Sequence, residues 1–251
     1  MKNYRKALLA LTLLATTALM GCGGGGGGDG DTAQMNVDYI SGIYAGIVHN
    51  DVTGLDYDTV GLVYDGNVYF VVPSEGELSA GRVTSLTSNS FKAYMDTYVT
   101  DGTGYVDTAD VTGTWLAENW IKGSYSYRNL AITGDVDLTI SPTWVRPATN
   151  LAISGIYVGQ DAFGDTVTLT IQADGDVFGQ DTLGCTYNGT VTPAQPDRNI
   201  YRSNITVANC GNFDGVFTGY MSLGDDQAQN DLLLYILTNA DWLAYGFLNR
   251  Q

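Results

Sequence analysis

The feature that most constrains this chain is an ordered set of short motifs that occurs twice. Ile40-Ser41-Gly42-Ile43-Tyr44-Ala45-Gly46 recurs as Ile153-Ser154-Gly155-Ile156-Tyr157-Val158-Gly159. Each copy is followed by two apolar runs around an Asp-Gly pair: Val60 to Phe70 around Asp65-Gly66, then Val167 to Phe178 around Asp174-Gly175. Next, Leu78 to Val83, with Gly81, parallels Thr186 to Val191, with Gly189. Matching elements in one order mean two copies of one supersecondary unit. The unit is β, because Asp-Gly between alternating apolar runs is the strongest short hairpin signal.

Each copy continues as short alternating runs. The first has Phe91 to Val99, Ala109 to Trp115, Trp120 to Tyr127 and Ile132 to Ile140. The second has Ile200 to Val207, Phe213 to Met221, Leu232 to Thr238 and Trp242 to Leu248. Gly, Asn, Asp and Pro separate them. The pattern predicts an all-β chain of two tandem antiparallel up-and-down barrels or sandwiches, with about eight short strands in each. Leu232 to Leu237 is apolar throughout; the Asn and Asp flanking it favour a buried strand over a helical turn. Pro142 to Asn150 reads as the link between lobes. The expected division is a signal segment 1–21, a tether 22–38, a first lobe 39–147 and a second lobe 148–251.

The amino terminus is a secretory signal segment. Lys2, Arg5 and Lys6 precede an apolar run from Ala7 to Met20, broken only by Thr12, Thr16 and Thr17. The run is too short to span a bilayer as a helix. Gly23 to Gly30 is glycine apart from Asp29, which makes a flexible tether. Removing residues 1–21 takes three of the eleven basic residues and no acidic one, so eight bases against 27 acids leave a net charge of −19. Nucleic acid is excluded as a partner, since phosphate binding needs Lys/Arg patches. Adsorption to anionic lipid through a basic face is excluded for the same reason.

Beyond Cys22, only Cys185 and Cys210 remain. In an oxidising compartment this even pair predicts a disulfide. It would close a loop of about 25 residues and contribute on the order of 3 kcal/mol. A thiolate metal site needs more ligands than two cysteines at this spacing supply.

Little in the chain points to catalysis. His49 is the only histidine, so a nucleophile–histidine arrangement would have to use it, and it falls in the loop-like His49-Asn50-Asp51. Many aspartates, such as Asp65, Asp101, Asp174 and Asp214, stand beside Gly or Asn, where turn chemistry explains them. Glutamate is scarce, at Glu75, Glu77 and Glu118. The chain reads as a non-enzyme with no required cofactor. Calcium is the one metal with candidate ligands, at Asp56 and Asp58, Asp174 and Asp176, and Asp225 and Asp226; solvated turn carboxylates are the plain alternative. Of four tryptophans, Trp115, Trp120 and Trp242 are the candidates to line a small-molecule site, with Trp144 beside them; core packing is the commoner fate. A membrane-spanning barrel needs strands of about 9–11 residues with an outward apolar band, and these runs are interrupted by Asp, Asn and Gly.

Leu19-Met20-Gly21-Cys22 resembles the lipobox of bacterial lipoproteins. The resemblance implies cleavage before Cys22 and lipidation of that cysteine; an ordinary secretory signal with a chance cysteine is the alternative. Gly23 in place of the Asp that favours inner-membrane retention implies the outer membrane. Lipobox, glycine tether, tandem β lobes and Gly-aromatic strands together resemble transferrin-binding-protein-like and factor-H-binding-like surface lipoproteins. The resemblance implies a membrane-anchored module for a small ligand or a partner protein. A structural envelope lipoprotein with filled lobes is the competing reading.

Overall fold

The computed structural model describes residues 36–99, 104–161 and 164–251. The signal segment, Cys22, the tether up to residue 35 and Asp101 lie outside the described residues. The chain forms two closed antiparallel barrels in tandem. The first comprises β1 (Gly42–Asn50), β2 (Leu55–Tyr64), β3 (Asn67–Val72), β4 (Glu77–Leu86), β5 (Ser90–Val99), β6 (Gly104–Leu116), β7 (Trp120–Tyr127) and β8 (Thr133–Ile140). The second comprises β9 (Gly155–Gln160), β10 (Thr166–Ile171), β11 (Asp176–Asp181), β12 (Thr186–Gln195), β13 (Ile200–Ala208), β14 (Gly215–Gly224), β15 (Leu232–Thr238) and β16 (Leu243–Arg250). Successive strands pair in order, and each barrel closes last strand to first. At the closures Ile140 lies opposite Tyr44, and Arg250 lies opposite Tyr157.

The repeated motif builds the same floor twice. In the first copy a 3₁₀ turn, Val37–Ile40, is capped by the Asn36 side chain, which accepts from the Asp38 amide. In the second a single α-helical turn, Asn150–Ile153, is capped by Thr149, which accepts from the Ala152 amide. Each turn drives its final isoleucine into a barrel, leaving Ile40 and Ile153 fully buried. Tyr44 then donates its hydroxyl to the Ile40 carbonyl at 2.8 Å, and Tyr157 donates to the Ile153 carbonyl at 2.8 Å. A buried phenol needs such a partner, since an unpaired one costs about 1–3 kcal/mol.

The hairpin signals carry over as well. Asp65 and Gly66 are both left-handed (φ 54° and 75°) between the paired residues Tyr64 and Asn67, the backbone that a two-residue hairpin demands. In the second copy the turn is longer, running from Ile171 to Val177, and Gly175 holds φ 96°. In both, the turn glycine accepts from the matched valine: Val83 N to Gly66 O at 2.9 Å, and Val191 N to Gly175 O at 2.8 Å. Gly81 and Gly189 are required by close approach, because an added Cβ would lie 1.7 Å from the Tyr94 carbonyl oxygen or 2.0 Å from that of Asn204.

Alternation places one face of most strands in a core. On β8, Val136 and Leu138 point inward while Asp135 and Asp137 face solvent. Strands β2, β3 and β15 break this alternation because both of their faces are buried. Val63, Val68 and Phe70 fill the first barrel. Leu62, Tyr69 and Val71, from the opposite faces, pack with Tyr220, Leu234 and Ile236 of the second barrel. Leu232–Thr238 is accordingly a strand, with Leu233, Tyr235 and Leu237 in its own barrel. The lobe linker contributes one side chain to this packing: Trp144 is 2 % exposed within the inter-barrel core. Both barrels thus belong to one compact unit.

Candidate functional site

The two barrels differ at the end remote from the floor. In the first, a cavity of about 200 Å³ opens between the strands. Its apolar base is Phe70, Met95, Val111 and Val136, all inward residues of the barrel core. Above them stand Glu77, Ser79, Thr97, Tyr125 and Tyr127, with Tyr57 and Glu75 also lining the space. These polar side chains occupy inward positions of β4, β5 and β7 and are linked. Ser79 Oγ and Thr97 Oγ1 are 2.8 Å apart; Tyr127 Oη donates to Thr97 Oγ1 at 3.1 Å and lies 3.4 Å from Glu77 Oε1. Tyr125 donates to the His49 carbonyl at 3.2 Å.

Burial dominates the electrostatics. It pushes the Glu77 carboxyl up, with Glu75 adding repulsion against the opposing hydrogen bonds from Tyr127 and Ser79. Burial also raises the Tyr125 phenol to about 12, helped by the charge of Glu77. Tyr127 is raised by burial and Glu77 in the same way. Among the described residues, no lysine, arginine or histidine lines the cavity.

The corresponding level of the second barrel carries larger side chains, packed against its core. Strand register fixes the correspondence. Gly81 pairs with Met95, which pairs with Ala109; Gly189 pairs with Ile205, which pairs with Phe217. Two residues before each glycine, Ser79 lies opposite Thr97, and Tyr187 lies opposite Val207. Where the first barrel has Ser79, Thr97 and Ala109, the second therefore has Tyr187, Val207 and Phe217. The position of Glu77 is taken by Cys185, which is joined to Cys210 in the predicted disulfide, with 4.8 Å between Cα atoms. Asp181 completes the closure. Its carboxylate accepts from the Leu183 amide at 2.9 Å, the Cys185 amide at 3.0 Å and the Tyr187 hydroxyl at 2.6 Å.

No protein-family model matches this chain, and no curated protein matches it. The side chains themselves carry the functional argument.

None of the tryptophan candidates lines the cavity. Trp115 lies in the first barrel's core at the floor end and donates its indole to the Thr87 carbonyl at 3.0 Å. Trp120 begins the adjacent strand, paired with Leu116. Trp242 belongs to the second barrel, where it stacks on Phe213 at 4.3 Å and donates to the Asn212 carbonyl at 2.9 Å. The cavity is lined by tyrosines instead.

One carboxylate of each acidic pair is engaged by the protein. Asp56 takes the His49 ring nitrogen at 2.6 Å. Asp174 accepts from the Asp176 amide at 3.2 Å. Asp225 is gripped by Arg146, at 2.7 Å through Nη1, and its pKa falls to about 2 from that bond and from the Asn230 amide. Among the described residues, three side chains of metal-ligating type converge at Asp181, Cys185 and Cys210, where the sulfurs are spent on each other. His49 pairs with Asp56 and Asp51 on the rim, and the Asp56 bond raises its pKa.

Asp107 was legible only as one aspartate among many. It is 1 % exposed, and burial alone would push its carboxyl up. Donation from Asn129 (backbone and side chain), Leu130 and Thr108 outweighs this and holds the pKa at about 2. Its role is to tie the β7–β8 loop to β6.

Proposed function

We propose that this protein is an exported, lipid-anchored binding module in which the first barrel holds a small ligand and the second is a filled supporting lobe. The observation carrying this reading is the cavity among Glu77, Ser79, Thr97, Tyr125 and Tyr127. An apolar pocket with a few convergent polar groups is the usual form of a ligand site, and a closed eight-stranded barrel has room for one small ligand. Cys22 is the proposed lipid attachment point, and the outer membrane the proposed location. The outward charged pairs Lys122–Asp137 and Arg128–Asp110 suit a barrel standing in water rather than in hydrocarbon.

Two experiments test the reading. Cells expressing the full chain are fed labelled palmitate; the label should appear on the wild type and vanish in Cys22→Ala. Native mass spectrometry of the purified protein is then compared with its denatured mass. A discrete extra mass lost on unfolding, and absent from an Ala109→Phe variant, supports a ligand in the first barrel. A bare mass in both, with no small molecule binding on addition, favours the structural-lipoprotein reading, which the filled second barrel already suits.

A further inference from the structure

Resting on the reading of the first barrel as a ligand site, we propose that its ligand is a small organic ammonium ion: one apolar ring or short chain bearing a protonated amine. Three features lead there. The first is charge. Glu77 and Glu75 line the cavity and, among the described residues, no basic side chain does, so the site holds carboxylate without a described protein cation to balance it. Glu77 is half-buried and Glu75 stands exposed at the opening; covering a carboxylate is costly without a paired charge, and an ammonium ligand seated on Glu77 supplies that pair. The raised pKa of Glu77 fits a carboxylate desolvated in this way.

The second feature is aromatic. Tyr57, Tyr125 and Tyr127 line the same space, and Tyr125 and Tyr127 meet edge to face at 5.9 Å. Phenol rings around a cation add cation–π attraction, which strengthens when the cation is desolvated. The third is size and polarity along the barrel axis. The base is Phe70, Met95, Val111 and Val136, and the polar collar lies above it. A cavity of about 150 Å³ lined by apolar side chains accepts benzene. At about 200 Å³, this one takes a single ring with a short aminoalkyl arm, ring down and nitrogen at Glu77. The second barrel is the internal contrast: at the position of Glu77 it has Cys185, already bonded to Cys210.

The test uses the full chain in non-ionic detergent, titrated calorimetrically with 2-phenylethylamine and with its neutral counterpart 2-phenylethanol. The amine should bind more tightly. Its affinity should rise with pH as Glu77 ionises, while that of the alcohol stays flat. Glu77→Gln should weaken the amine roughly tenfold or more, as expected for loss of a charge-assisted bond, and the alcohol much less. Ala109→Phe should abolish both. If amine and alcohol bind alike, with no effect of pH or of Glu77→Gln, the cavity reading stands and the ammonium proposal falls. If neither probe binds the wild type, both fall. Should Glu77→Gln fail to fold, the pH dependence of amine against alcohol on the wild type decides alone.

Discussion

The first and second barrels share a frame and part company at one level. Floor turn, tyrosine-to-carbonyl bond, turn glycine and strand order correspond one to one. At the opposite end three small or polar inward residues, Ser79, Thr97 and Ala109, face a cavity where Tyr187, Val207 and Phe217 fill the second barrel. Duplicated barrels differing in this way separate two demands on a sequence. What closes the barrel is retained in both copies, and what occupies its mouth is free to diverge. The second mouth is closed by a disulfide and a hydrogen-bonded aspartate; the first keeps a carboxylate and two phenols.

Breaking the contact between the lobes should have the largest effect. Trp144→Ala empties a buried indole site between the barrels and should cost about 3–5 kcal/mol, read by chemical denaturation. Wild-type probes placed in each barrel should report one shared transition; separate transitions would show two independent folding units.

Next is the closure of the second mouth. Replacing Cys185 and Cys210 with serine should lower stability by roughly 3 kcal/mol. Binding in the first barrel should be untouched, and an altered affinity there would mean that the mouths communicate.

The floors can be compared directly. Tyr44→Phe removes one hydrogen bond and should cost about 1 kcal/mol. Tyr157→Phe should cost more, roughly 1.5–3 kcal/mol, because Arg250 also donates to that hydroxyl, at 3.1 Å through Nε. Its counterpart opposite Tyr44 is the apolar Ile140. Equal losses would show that Arg250 contributes nothing.

The smallest effect is a slope. Because the folded Glu77 carboxyl is raised above its unfolded value of about 4.3, the folded state binds the extra proton across that window. Stability should fall as pH climbs through it. Glu77→Gln should flatten this part of the curve and be the more stable protein at neutral pH. A steeper fall in the variant would contradict the assignment of burial as the dominant cause.

Much of this was legible in the chain. The repeat and the Asp-Gly turns marked two copies of one hairpin-based unit, and alternation marked the strands. The continuous apolar runs at Val60 to Phe70 and Leu232 to Leu237 recorded where both sheet faces are buried, which a single strand cannot reveal without knowing its partner. Barrel against sandwich stayed open because closure depends on the pairing of strands far apart in sequence, such as β1 with β8. The cavity is not legible in the sequence for a related reason. Glu77, Thr97, Ala109 and Tyr127 lie on four different strands, and none is unusual by itself. One signal was present: aligning Leu78 to Val83 with Thr186 to Val191 sets Ser79 against Tyr187, a small residue for a large one at an inward position. Aromatic type drew attention to tryptophan, whereas the residues lining the cavity are tyrosines that composition alone attributes to ordinary strands.

The turn that seals each floor has a consequence for traffic. In the first barrel Ile40, Tyr44, Leu86 and Trp115 block the end opposite the cavity. Among the described residues the lobe is a cup rather than a conduit: on the proposed reading, a ligand that enters past Glu75 and Tyr57 leaves by the same opening. Such a vessel can capture, store or hand over its contents at a single rim, but it cannot pass them from one side to the other.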